Sequence, residues 1–236
     1  MQEQNKTFLK VSYKDVLLFL TFFLLPIVGT VSHEFGHLVM ALLFHHTPTL
    51  HYASVSVENP MLDWLSDLFS KYEGDFSEID YQWIETKLKK EDFFIRCGGL
   101  LQTLGTGLLG YCFLLLRKPL HKLQGFGFID WVSFFMALFL ARQVLLYPLW
   151  LLLGRPVSGD EVYIAAYLQI SAHSLYFLNA LLCSLILVHV FFYLLPKYWF
   201  KRVFLYLLIA SPLGALLWFF LANTSDCFFF CPKPPL

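Results

Sequence analysis

Apolar residues fall into five long runs: Val16 to about Phe44, Phe93 to Leu116, Phe128 to Leu153, about His173 to Leu195, and Val203 to Ala222. A helix needs about 20 predominantly apolar residues to cross a bilayer, and few charges interrupt these runs. The pattern predicts an all-α polytopic membrane protein with about five transmembrane helices. At a rise of about 1.5 Å per residue the first run is longer than a bilayer requires, and Pro26 and Gly29 are places for it to kink or tilt. Its length and the lack of an A-x-A cleavage site argue for a retained helix rather than a signal peptide. Val162 to Ile170 is moderately apolar, which predicts either an earlier start for the fourth helix or a separate short one.

The long connection, residues 46–92, reads as a small α/β insertion. Leu50 to Val57 alternates roughly, with β-branched and aromatic residues, as a strand or hairpin arm does, while Met61 to Tyr72 and Tyr81 to Lys90 have the spacing of amphipathic helices. With no internal repeat and no low-complexity linker, residues 1–236 form one membrane-embedded domain that includes this extramembrane insertion.

Composition narrows the class. Hydrophobic residues at 58%, aromatic at 19% and charged at 14% exclude a disordered chain and argue against an ordinary soluble globule. Seventeen basic residues balance 17 acidic ones, so there is no surplus to hold a nucleic acid. Cys97, Cys112 and Cys183 lie in apolar runs and only Cys227 and Cys231 in a polar-flanked tail, which is not a disulfide framework, although those two could pair in an oxidising compartment. Lysines and arginines near the span ends number nine on the amino-terminal side and six on the other, which makes the amino terminus cytoplasmic and puts the insertion, residues 154–161 and the carboxyl tail on the opposite side.

Inside the first run stands Ser32-His33-Glu34-Phe35-Gly36-His37, an H-E-x-x-H motif on a predicted helix. Four residues apart, the two imidazoles share a face and can bind one Zn²⁺, while Glu34 can act as a general base on water at that ion. Random placement of the histidines and glutamates would produce this motif on the order of 0.01 times in the chain. Its position in a bilayer span, where ionisable groups are costly, adds weight to a functional reading over histidines merely packed in a bundle.

A catalytic zinc site needs a third protein ligand. Asp160, Glu161, Asp130, His45, His46 and His51 are the candidates. His33 lies about 26 Å along the helix from Val16, toward the outer end of the span. The connection carrying Asp160 emerges on that side, whereas Asp130 begins the third run on the other. Asp160 also opens a predicted helix after Ser158-Gly159, so a short loop can aim it inward; the plainer reading is a first-turn acid that stabilises its own helix. His45 and His46 read as an interfacial helix end.

With HEFGH in an apolar helix, Gly98-Gly99-Leu100-Leu101-Gln102 opening a later span and Ser158-Gly159-Asp160 before a helix, the chain resembles the intramembrane zinc metalloproteases of the site-2 protease family. That resemblance implies His33, His37 and Asp160 as zinc ligands, Glu34 as catalytic base, and the transmembrane or membrane-adjacent segment of another protein as substrate. It covers roughly residues 20–45, 93–110 and 150–170. The family's aspartate motif is Leu-Asp-Gly with a nearby Asn-Pro, whereas this chain reads Ser-Gly-Asp-Glu. Gln102 stands where the family often has asparagine and could donate to a substrate carbonyl or oxyanion. The plainer reading of Gly98, Gly99, Gly105, Gly107 and Gly110 is close helix packing.

Two other functions compete. A metalloprotease of the prenyl-protein processing type would use Glu161 as third ligand, but its E-x-x-x-D pattern is missing here. A non-catalytic metal transporter or sensor would draw on further ionisable residues such as Arg96, Arg142, His173 and His189, of which Arg142 and His189 read as packed polar groups. The strand at Leu50 to Val57 is suited to pair with an unwound substrate segment, or simply to cover the site.

Overall fold

The first apolar run forms one helix, α1 (Tyr13–Leu43), which continues through Pro26. The computed structural model describes residues 13–51, 54–58, 78–124, 126–154 and 156–224. After α1 come strands β1 (Thr47–Leu50) and β2 (Val55–Glu58), then α2 (Glu78–Gln124), α3 (Phe128–Ala137), a 3-10 turn (Leu138–Leu140), α4 (Ala141–Leu152), the short α5 (Asp160–Tyr167), α6 (Ala172–His189) ending in a π-helical turn (Val190–Leu194), a 3-10 turn (Lys197–Trp199) and α7 (Phe200–Thr224).

Five helical stretches are long and apolar enough to span a bilayer: Asp15–Leu43, Glu85–Lys118, Phe128–Leu152, Ala172–Leu194 and Lys197–Phe220. The chain is a multi-pass, all-α membrane protein with a small antiparallel hairpin between its first and second spans. The segment from Val162 onward is a separate helix: α5 has eight residues, about 12 Å of rise, too few to cross.

Two expectations for the insertion change. Tyr81 to Lys90 is not a separate amphipathic helix but the first part of α2, which runs 47 residues without a break. Neither proline nor glycine interrupts it before Gly98, and Lys89–Glu85 at 2.6 Å and Arg96–Asp92 at 2.9 Å are i,i+4 pairs that support its outer turns. The Leu50 to Val57 run, expected as a strand or hairpin arm, holds parts of both arms of a hairpin, with Thr47 opposite Glu58 and Leu50 opposite Val55. A backbone hydrogen bond from His51 N–H to the Ser54 carbonyl, 2.8 Å, closes its turn. Met61 to Tyr72 and Cys227 with Cys231 lie outside the described residues.

Lipid is as apolar as leucine, so these helices associate by close fit and polar ties rather than by hydrophobic burial. Glycines set the crossings. A Cβ on Gly36 of α1 would collide with the Gly98 carbonyl of α2, and one on Gly98 with that of Gly36; Gly110 packs in the same way on Ser133 and Ala137 of α3, and Gly214 on Phe23 of α1. Leu18, Phe22, Leu114, Phe134, Leu140, Val190 and Val203 fill the core between these helices. At one end, Arg117 pairs with fully buried Asp130 at 2.5 Å and Arg202 with Asp15 at 3.1 Å. The start of α1, the end of α2 and the starts of α3 and α7 therefore share one side, and the hairpin and α5 belong to the other.

Candidate metal centre

His33 and His37 lie one turn apart on α1, both buried, with ring centroids 4.8 Å apart and planes at 88°. Their Nε2 atoms converge on one oxygen: Asp160 Oδ2 is 2.9 Å from His33 Nε2 and 3.1 Å from His37 Nε2. Asp160 reaches them because Gly159, at φ 123° and ψ −172°, turns the chain in a conformation open to glycine alone, so the first residue of α5 faces α1. Glu34, between the histidines, is partly buried, and its carboxylate lies with the two imidazoles within 4.8 Å. This His-Glu-His group could hold a metal ion.

The other ring nitrogens are committed. His37 Nδ1 is 2.8 Å from the Ile95 carbonyl, which only accepts, so His37 donates there. Thr103 Oγ1 gives its proton to the Gly99 carbonyl at 3.1 Å, so at 3.0 Å it accepts from His33 Nδ1–H. Assigned from this network, each neutral ring carries its proton on Nδ1 and presents a bare Nε2 lone pair. Two lone pairs then face a carboxylate oxygen with no proton between them, an arrangement that repels unless a cation occupies the space. Donor atoms around a tetrahedral zinc with bonds near 2.0–2.1 Å stand about 3.3 Å apart, close to the separations seen here. The donor set therefore fits such an ion. In the metal-free site burial pushes the Asp160 carboxyl up, and imidazoles protonated at Nε2, donating to Oδ2, bring it below the usual carboxylate range.

Gly99 of α2 packs directly on both imidazoles, where a Cβ would press on His37 Nε2. Gly98 packs on Gly36 one turn of α1 away from His33. The Gln102 amide donates to Ser32 Oγ and Thr106 Oγ1, both at 3.0 Å, rather than pointing at the histidines. Among the other ligand candidates, Glu161 turns to the Tyr176 hydroxyl at 3.0 Å, Asp130 is held by Arg117, His46 pairs with Glu91 at 3.3 Å and His51 with Ser56 at 2.8 Å. His45 sits at φ 60° in the turn that ends α1. His189 bonds to Tyr111 at 2.8 Å, the packed polar pair expected of it. Arg142 Nη1 is buried without a hydrogen-bond partner among the described residues.

Thr103 and Ile95, which fix the imidazoles, carry no sequence signal: a threonine in a glycine-rich span and a backbone carbonyl look like packing. Only the Nδ1 requirement of a ligating histidine, searched for one helix away, could have pointed to them. No family model, no curated protein and no solved structure matches the chain.

Proposed function

We propose that this protein is an intramembrane zinc endopeptidase of the site-2 protease type, which hydrolyses peptide bonds in or near the transmembrane segments of other proteins. One observation carries the reading: the Nε2 atoms of the two histidines of an H-E-x-x-H turn converge on one aspartate oxygen, while their Nδ1 atoms are tied to Thr103 and the Ile95 carbonyl. His33, His37 and Asp160 would hold the ion. When bound, zinc supplies Lewis acidity that polarises a carbonyl and brings the pKa of water down toward neutrality. Glu34 is placed to take the proton of the attacking water and pass it to the departing amine, as general base and then acid. Thr103 and the Ile95 carbonyl keep the rings oriented, and the Gly36–Gly98 crossing brings α2 close enough to do so. By the nine-to-six distribution of basic residues the amino terminus is cytoplasmic, which puts this centre toward the opposite face.

The test has two readouts. Purified without chelator, wild type should carry about one zinc per chain, lost in His37→Ala and in Asp160→Ala. Glu34→Gln should keep the metal and lose about 10²–10⁴-fold in cleavage of a membrane-protein substrate. Metal-free wild type would sink the zinc reading; bound metal with cleavage unaffected by Glu34→Gln would favour a transporter or sensor.

A further inference from the structure

Asp160 has two carboxylate oxygens, and the metal reading uses only Oδ2. The other, Oδ1, lies 3.6 Å from Arg96 Nη1 of α2. Arg96 is itself held on two sides: its Nε donates to Asp92 Oδ2 at 2.9 Å, and its guanidinium lies over the Tyr163 ring with Cζ 3.6 Å from the centroid. One turn away Phe93 stacks on Tyr167, centroids 4.2 Å apart. Asp160, Tyr163 and Tyr167 thus form one stripe of α5, which meets Phe93 and Arg96 on one stripe of α2.

We propose that Arg96, seated on Tyr163 and braced by Asp92, is the positioning residue of the metal centre, holding Asp160 by Oδ1 so that the carboxylate offers Oδ2 alone. The proposal rests on Asp160 being a ligand. A carboxylate free to rotate can present both oxygens to a cation and fill the position that a catalytic site keeps for water. Stacking on an aromatic face fixes the plane of a guanidinium fork, which an ammonium does not supply. α5 needs such a hold, because it is short and is joined to α4 through Gly154 and Gly159, both at positive φ. The contacts to α2 act beside those of Tyr176 on α6, whose hydroxyl lies 2.7 Å from the Ser158 carbonyl and 3.0 Å from Glu161 Oε2, and Arg96 is the one that reaches the Asp160 carboxylate itself.

The experiment titrates the full-length protein in detergent with Co²⁺ and Zn²⁺ against a competing chelator and records the visible spectrum of the Co²⁺ form. Arg96→Gln should bind metal about 10–100-fold more weakly than wild type, with an altered Co²⁺ spectrum. Arg96→Lys should recover part of the affinity, and Tyr163→Phe, which keeps the ring face, should keep both readouts. The metal-free thermal melt and elution volume report folding; if Arg96→Gln does not fold, Tyr163→Ala and Arg96→Lys carry the comparison. Wild-type affinity and spectrum in Arg96→Gln, beside a loss in Asp160→Asn, would overturn the positioning role while leaving the metal centre intact. Unaltered binding in Asp160→Asn would overturn the ligand assignment and the positioning role together, and wild type that binds neither metal would overturn the zinc reading as well.

Discussion

Gly99→Ala is the sharpest single-atom perturbation of the centre. The added Cβ would stand 2.6 Å from both His33 Cε1 and His37 Cε1 and closer still to His37 Nε2, against an ordinary contact distance of 3.4 Å. Relief at the tightest contact takes about 1 Å of ring or helix movement, more than the ~0.5 Å within which a site must be held to work. Neither ring can retreat freely, since His37 is tied to Ile95 at 2.8 Å and His33 to Thr103 at 3.0 Å. Overpacking of this kind costs about 1–3 kcal/mol, which spent on ring displacement is about a 5- to 150-fold loss in metal affinity. Gly105 is the matched control, on the same helix with nothing within 4 Å of its Cβ position. Chelator competition on Gly99→Ala, Gly105→Ala and wild type decides the matter. Affinity in Gly99→Ala equal to that of Gly105→Ala would refute the claim that α2 backs directly onto the ligands.

Further outcomes follow from the same contacts. Thr103→Val removes the acceptor for His33 Nδ1–H and should weaken metal binding about 10–100-fold, with Thr103→Ser near wild type; equal affinities in all three would contradict the tautomer assignment. Metal retention should be full at about pH 8 and fall as the pH drops through the ordinary imidazole range near 6.5, because protons compete for the two Nε2 atoms. Asp160, held below the usual carboxylate range, stays ionised through that window, so the release should involve up to two protons per metal; metal still bound at about pH 5 would count against histidine ligation. Val57→Pro on β2, whose N–H faces the free edge opposite Pro48 rather than β1, should lower cleavage with the metal content unchanged if the hairpin pairs with substrate, and unaffected turnover would leave it a structural cover.

Much of this architecture was legible because a bilayer imposes a coarse rule: apolar run lengths alone separate spans from connections, and the predicted and observed spans differ mostly at their ends. His33, Glu34 and His37 were legible because a helix converts a spacing of four into one face. Asp160 was legible only by argument, from the side of the membrane on which its loop emerges and from Ser158-Gly159 before it. What stayed hidden depends on neighbours remote in sequence. Thr103 gains its role from meeting His33 across the α1–α2 crossing, and Arg96 from a tyrosine 67 positions away. The continuity of α2 was missed because polar Tyr81 to Lys90 reads as its own amphipathic period, although no breaker separates it from the apolar run that follows. The Leu50 to Val57 run reads as a strand or one hairpin arm, not as parts of both arms, because the turn closed by His51 and Ser54 carries no glycine or proline to mark it.

The length of α2 has a mechanical consequence. Forty-seven residues amount to about 70 Å of helix, more than twice the hydrocarbon thickness it must cross, so its outer turns project as a rigid arm. With no hinge between Glu78 and Gly98, a sideways load on that arm is not absorbed before it reaches the Gly36–Gly98 crossing, which acts as a fulcrum. Gly99 and the Ile95 carbonyl lie within a turn of that point, and the rings they touch move with them. The outer turns of α2 and the backs of the two imidazoles are thus joined by one continuous, unhinged length of helix.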